Sequence, residues 1–260
     1  MMETENLVRK EQIIKEVTPI GNGAHIFAPK EWVGEEVVVT RILQPSLKDR
    51  ILHVFQPYLE YVKGIYLYGS HARKEAEKDS DIDILAIVTK KLTIKEKGFE
   101  IIVLEEESIP QALKISSILI YSALAEAKTI INAELLEKLR ADYKPDKAYF
   151  RLYLRETENI LEINKDILDS YSLILRLRGI YIIHQLLEKS IYSHKNFKLW
   201  IRSHLPSIEL DSLFLSYKRI KNNKKPVFIK REDLKQIFSF LESETHSLNN
   251  KLYGKKKKEA

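Results

Sequence analysis

Two aspartates, Asp81 and Asp83, stand at the head of an otherwise apolar run that continues through Ile84-Leu85-Ala86-Ile87-Val88. Aliphatic and β-branched residues at this density predict a buried strand over 82–89. Positions i and i+2 of a strand face the same side, so both carboxylates project together while Ile82 and Ile84 turn toward the core. Neighbouring carboxylates repel one another unless a cation lies between them. Oxygen-only ligands of this kind suit Mg²⁺.

The segments on either side fit the same picture. Ile65-Tyr66-Leu67-Tyr68 reads as a short buried strand that ends at Gly69-Ser70, and His71-Ala72-Arg73-Lys74-Glu75-Ala76 begins a helix. Such a turn brings backbone N–H groups and a hydroxyl to one spot. Gly69, without a Cβ, lets a ligand approach the backbone, and the start of the helix adds partial positive charge, which suits a phosphate. Downstream, Phe99-Glu100-Ile101-Ile102-Val103-Leu104 reads as a third strand, polar only at Glu100. The connection from Asp83 allows it to lie beside the strand 82–89. Glu100 then supplies a third carboxylate, placed to take the proton from an attacking hydroxyl. A cation bridging carboxylates and phosphate oxygens is the usual requirement for in-line phosphoryl or nucleotidyl transfer. Arg73 either binds phosphate, the favoured role, or pairs with Glu75 or Glu77. Ser80 is expected to cap the turn before the strand, and His71 to be exposed.

Gly69-Ser70-His71-Ala72-Arg73, followed by Ser80-Asp81-Ile82-Asp83-Ile84-Leu85, resembles the DNA polymerase β nucleotidyltransferase superfamily, and most closely its minimal nucleotidyltransferases. The likeness extends over about residues 46–135. It implies that Gly69, Ser70 and Arg73 bind the nucleotide and that Asp81, Asp83 and Glu100 are catalytic and hold the metal, Mg²⁺ or Mn²⁺. It also implies a nucleoside triphosphate as substrate, ATP favoured, and Glu100 stands where Asp is commoner. Lys74 departs from the pattern, since Gly often follows the Arg.

The expected fold class is α+β: a mixed sheet flanked by helices, with a small β unit before it and an antiparallel helical bundle after it. The expected boundaries are 1–44 for the β unit, 45–145 for the nucleotidyltransferase domain and 146–260 for the bundle with its basic tail. Ser46 is a fair N-cap for a helix over 46–62 that Pro57 interrupts. Further helices are expected over 110–126 and 133–142 around a short strand at 129–131. The bundle helices are expected over 147–168, 171–190, 194–203, 208–221 and 231–252. Tyr171, Leu173, Ile174, Leu177, Ile180, Tyr181, His184, Leu187 and Ile191 make a broad apolar stripe. In several nucleotidyltransferases such a bundle closes over the nucleotide and holds the acceptor. Arg178 and His184 resemble the ribonuclease motif of HEPN helical domains, but six steps of about 100° put them nearly opposite on a helix.

Residues 1–16 read as a short helix or an arm, and 17–20, 24–29 and 36–40 as short strands split by Gly-rich turns. The run Gly21-Asn22-Gly23 through Pro29-Lys30-Glu31-Trp32 resembles small transposon-encoded proteins and, more distantly, AbrB-type swapped-hairpin DNA binders. That resemblance implies a unit that dimerises or touches DNA. A β extension packed on the catalytic sheet is the other reading.

No apolar run reaches the roughly 18–20 residues of a membrane helix, and the acidic, polar N-terminus is unlike a secretory signal. There is no cysteine, hence neither a disulfide nor thiolate chemistry. A cytoplasmic protein is expected. The net charge of +6 is uneven: residues 171–260 carry 19 Lys/Arg against 8 Asp/Glu. This points either to a polyanionic partner or to a solvated basic surface, with Lys218, Arg219, Lys221, Lys224 and Lys225 clustered and Lys255–Lys258 a frayed end. The expected partners are a nucleoside triphosphate, an RNA, DNA or protein acceptor at the basic C-terminal part, and a second copy of the chain, with no membrane. Two readings stay open: the transferase, and a non-enzymatic nucleic-acid-binding regulator or toxin–antitoxin-type component on the same scaffold.

Overall fold

The computed structural model describes residues 11–41 and 45–254, which fall into two compact units divided between Pro45 and Ser46. The expectations for residues 1–10 and for the Lys255–Lys258 tail lie outside the described residues. In the first unit, β1 (Thr18–Ile20) and β2 (Gly23–His25) form an antiparallel hairpin, with Gly21 at φ +52° in its turn. A 3-10 turn follows at Lys30–Trp32. Residues 11–16 adopt no regular element, and neither do 36–40, where a strand was expected. Val37, Val38 and Val39 have β propensity but meet no strand edge among the described residues, and Val38 is 93% exposed. No side chain of residues 11–41 is buried.

The second unit begins with α1 (Leu47–Phe55). Ser46 and Asp49 form a reciprocal capping box there, worth about 1 kcal/mol. The expected longer helix stops because Pro57, which has no N–H to donate, opens a 3-10 turn over Gln56–Tyr61. Then come β3 (Val62–Tyr68), α2 (Gly69–Arg73), β4 (Ile82–Val88), β5 (Phe99–Glu105), α3 (Ile109–Glu126), β6 (Lys128–Ile131) and α4 (Ala133–Asp142). The helices α5 (Arg151–Ile167), α6 (Ser170–Leu187), α7 (His194–His204), α8 (Leu210–Lys221) and α9 (Arg231–Tyr253) complete the unit. Among the described residues no helix is long and apolar enough to cross a membrane.

The sheet order is β5-β4-β3-β6, with β3 antiparallel to both neighbours and β4 parallel to β5. Strand alternation divides the core between its two faces. Ile65, Leu67, Ile82, Ile84 and Ala86 pack with Ile51 and Phe55 of α1. Tyr66, Tyr68, Leu85 and Ile87 face the other way and share one continuous core with α3, α4 and the bundle. Asp83 has the parity of Leu85 and Ile87, so it stands where this second face reaches the end of the sheet.

The bundle packs by the stripe expected for α6: Leu173, Ile174, Leu177 and Ile180 are fully buried, and so is Ile183, outside that stripe. Ile191, the last residue of that expected stripe, lies beyond the helix and is 53% exposed. α3 is bent at Ser116, whose φ of −132° and ψ of 45° are not helical.

Candidate active site

β3 and β4 bring the motif together through their register. Tyr68 pairs with Asp83 across the antiparallel ladder, and Asp83 pairs with Glu100 across the parallel one. The first pairing sets Gly69 against the Asp83 side chain. A Cβ at position 69 would lie 1.9 Å from Asp83 Oδ2, and Gly69 also has φ +70°, so two independent constraints demand glycine. The backbone N–H of Ser70 lies near enough to the Asp83 carboxylate to favour its charged form. Burial, followed by the charge of Glu100, pushes Asp83 up to about 6, against the pull of Lys221 and the Ser70 N–H.

These residues open into a cleft of about 790 Å³ whose opposite wall is the bundle. Gly69, Ser70, Arg73, Asp81, Asp83 and Glu100 all line it, as do Arg178, Lys198, Tyr217, Lys218 and Lys221. The three carboxylates share the cleft without converging. Asp81 is turned toward Lys221, with 3.9 Å between its Oδ2 and Nζ, and no group of three acidic or imidazole side chains among the described residues has metal-holding geometry. The pair that faces itself is Asp83 with Glu100. Its mutual repulsion and all-oxygen chemistry fit a hard divalent cation, with Asp81 as the third available carboxylate.

A sequence family described as "Polymerase beta, Nucleotidyltransferase" matches residues 49–140. The matched residues, about a third of the chain, are similar to nucleotidyltransferases of the polymerase β type. A second family, described as "Putative transposon-encoded protein (DUF2080)", matches residues 4–45. No curated protein matches the chain. Among solved structures, a toxin–antitoxin with AMP-PNP is similar at 14% identity, covering 48% of this chain and all of that one, with a TM-score of 0.28. A nucleotidyltransferase-like protein from Exiguobacterium sibiricum 255-15 is similar at 11% identity, covering 79% of this chain and 76% of that one, with a TM-score of 0.36.

Within the matched region, Arg73 is already engaged. Its guanidinium pairs with Glu75 (2.9 Å) and with the buried Glu126 of α3, and it lies 5.0 Å from the centre of the Tyr192 ring. The structure shows the pairing role through Nε and Nη1, and Arg73 also lines the cleft. Glu75 also accepts from Ser193 Oγ (2.8 Å) and from the backbone N–H of His194 (3.1 Å) at the start of α7. Burial works to raise Glu75, and these partners outweigh it and hold it below its ordinary range. Arg73 and Glu75 thereby tie the motif helix to both α3 and the bundle.

Ser80 accepts from the Glu77 N–H and caps the turn as expected. His71 is half-buried against the Ser80 carbonyl rather than exposed. Lys74 closes α2 at φ 61°, the left-handed conformation that explains why glycine suits this position. Arg178 and His184 are separated: Arg178 lines the cleft, whereas His184 contacts Glu244 of α9 at 3.2 Å. The HEPN pairing is not assembled.

A bundle closing over the site was expected, but which of its residues line the cleft escaped the sequence. Lys218 and Lys221 stood out only as members of a basic cluster. In the structure Lys218 pairs with Glu77 and Lys221 approaches Asp81, both on the acidic loop before β4. The available signal for Arg178 was a charge set between the buried positions Leu177 and Gly179.

Proposed function

We propose that this protein moves a nucleoside monophosphate from a nucleoside triphosphate to an acceptor hydroxyl, with Mg²⁺ or Mn²⁺ as the cation. The observation that supports it most is the in-register pairing of Asp83 with Glu100 beside Gly69 and Ser70, at the floor of a cleft large enough for a nucleotide. Asp83, Glu100 and Asp81 would hold the cation, which when bound neutralises charge on the phosphates. Gly69 leaves room for the Asp83 carboxylate beside the turn, and the Ser70 hydroxyl donates to the phosphate chain. The acceptor oxygen attacks the α-phosphorus, its proton passes to the Glu100 carboxylate, and pyrophosphate leaves. ATP is the favoured donor. The acceptor is an RNA, a DNA or a protein side chain held at the basic wall of the bundle. Residues 11–41 carry five Glu against three Lys/Arg, a balance that lends nothing to a DNA-binding regulator.

The test incubates the protein with each labelled triphosphate, Mg²⁺ and candidate acceptors, beside an Asp81→Ala/Asp83→Ala double variant. The expected result is label transfer by the wild type alone. A wild type that neither transfers label nor binds triphosphate with metal defeats the proposal.

A further inference from the structure

The two arginines of the cleft are in opposite states. Arg73 is held by two carboxylates. Arg178, half-buried on α6, has no ion pair and no side-chain hydrogen bond among the described residues. Tyr217, Tyr192 and Tyr153 are its neighbours, and no carboxylate is paired with it among the described residues. A partly desolvated cation without a counter-charge is costly unless an anion visits it.

The hydroxyls around it divide in the same way. Tyr153 donates to the Arg176 carbonyl (3.1 Å) over Gly179, where a Cβ would lie 1.8 Å from its oxygen. Tyr192 shares a hydrogen bond with His194 Nδ1 at 3.3 Å. Tyr217 stacks on Tyr171 with ring centres 5.0 Å apart, and its hydroxyl has no partner among the described residues. Lys198 is only loosely held, 4.0 Å from Asp211. Arg178, Tyr217 and Lys198 line the same cleft as Ser70, the residue that receives the phosphate chain.

We propose that Arg178, with the Tyr217 hydroxyl and Lys198, binds the terminal phosphoryl group of the donor triphosphate. A planar guanidinium matches phosphate oxygens bidentately, and this one is pre-positioned and uncompensated. The inference rests on the nucleotide-binding reading above. It assigns recognition of the triphosphate end to the bundle rather than to the arginine of the motif.

The experiment titrates wild type, Arg178→Ala and Arg178→Lys with a nucleoside triphosphate and with the matching monophosphate, both with Mg²⁺. Wild type is expected to prefer the triphosphate. Arg178→Ala should lose about 10-fold or more of triphosphate affinity, with monophosphate affinity unchanged, and Arg178→Lys should recover part of it. Retained monophosphate binding shows that the variant site is folded. Equal losses for both nucleotides, or no loss for either, overturn the inference. So does unchanged triphosphate binding with weakened use of a phosphate-bearing acceptor, which would place Arg178 at the acceptor instead. A wild type that binds no triphosphate removes the functional reading itself, and this inference falls with it.

Discussion

The two walls of the cleft are built by opposite means. The sheet wall comes from one stretch, residues 69–100, whose β3, β4 and β5 registers force Gly69, Asp83 and Glu100 together. The bundle wall is gathered from α6, α7 and α8, which contribute Arg178, Lys198, Lys218 and Lys221. The sheet wall holds excess negative charge at a cost, visible in the rise of Asp83 to about 6. The bundle wall answers part of that charge through Lys218 and Lys221 and leaves Arg178 unanswered. Neither wall is balanced alone, and the imbalance is where a metal–triphosphate complex would fit.

Breaking the sheet wall should have the largest effect. Asp83→Ala is expected to lower turnover by on the order of 10³-fold in a label-transfer assay while the protein stays folded by circular dichroism. Retention of most activity would remove Asp83 from the chemistry. The next largest effect separates the two arginines. Arg73→Ala leaves Glu126 buried without its cation and should cost about 3 kcal/mol in urea unfolding. Arg178→Ala breaks no pair and should fall within about 0.5 kcal/mol of wild type. Equal costs would mean that Arg178 has a structural partner after all.

The contrast between the walls also explains what the sequence disclosed. Alternation in Ile82-Asp83-Ile84-Leu85 has one interpretation on a strand, and β-ladder neighbours follow from short connections, so Asp83 beside Glu100 was legible. The helices of the bundle were legible for a similar reason, since burial of one face imposes period 3.6, as at Ile237, Phe240, Leu241 and Leu248 of α9. Side-chain partnerships across elements have no such period. The engagement of Arg73 with Glu126 spans 53 residues, and that of Lys218 with Glu77 spans 141. The strand expected at 36–40 failed differently: propensity was present, but no partner edge was.

A smaller effect measures what the sheet wall costs the fold. Asp83→Asn removes a carboxylate that burial and Glu100 disfavour, so the metal-free variant should be more stable than wild type at pH 7. Allowing for solvent screening, the gain is about 1 kcal/mol. The sign follows from linkage. The folded-state value lies above the ordinary 3.8, so the penalty is absent below that pH, grows as pH rises, and is complete above about 6. Thermal unfolding from pH 3.5 to 8 should therefore show the two proteins converging in acid. Added Mg²⁺ should narrow the gap at neutral pH by stabilising the wild type alone. A gap that is widest in acid would contradict the assigned strain.

The smallest effect isolates the turn that leaves the sheet wall. Lys74 holds φ 61° at the end of α2, where a side chain costs about 1–2 kcal/mol and glycine is free of that strain. Glycine gives back about half of the advantage through the greater freedom of the unfolded chain. Lys74→Gly should thus stabilise the protein by about 0.5–1 kcal/mol, raising its melting temperature by roughly 2 °C. Lys74 is exposed and outside the residues that line the cleft, so nucleotide affinity should not change. Stabilisation without a change in affinity means that lysine is merely tolerated in the turn. A fall in triphosphate affinity would instead extend the cationic surface around the end of α2 and blur the division between the two walls.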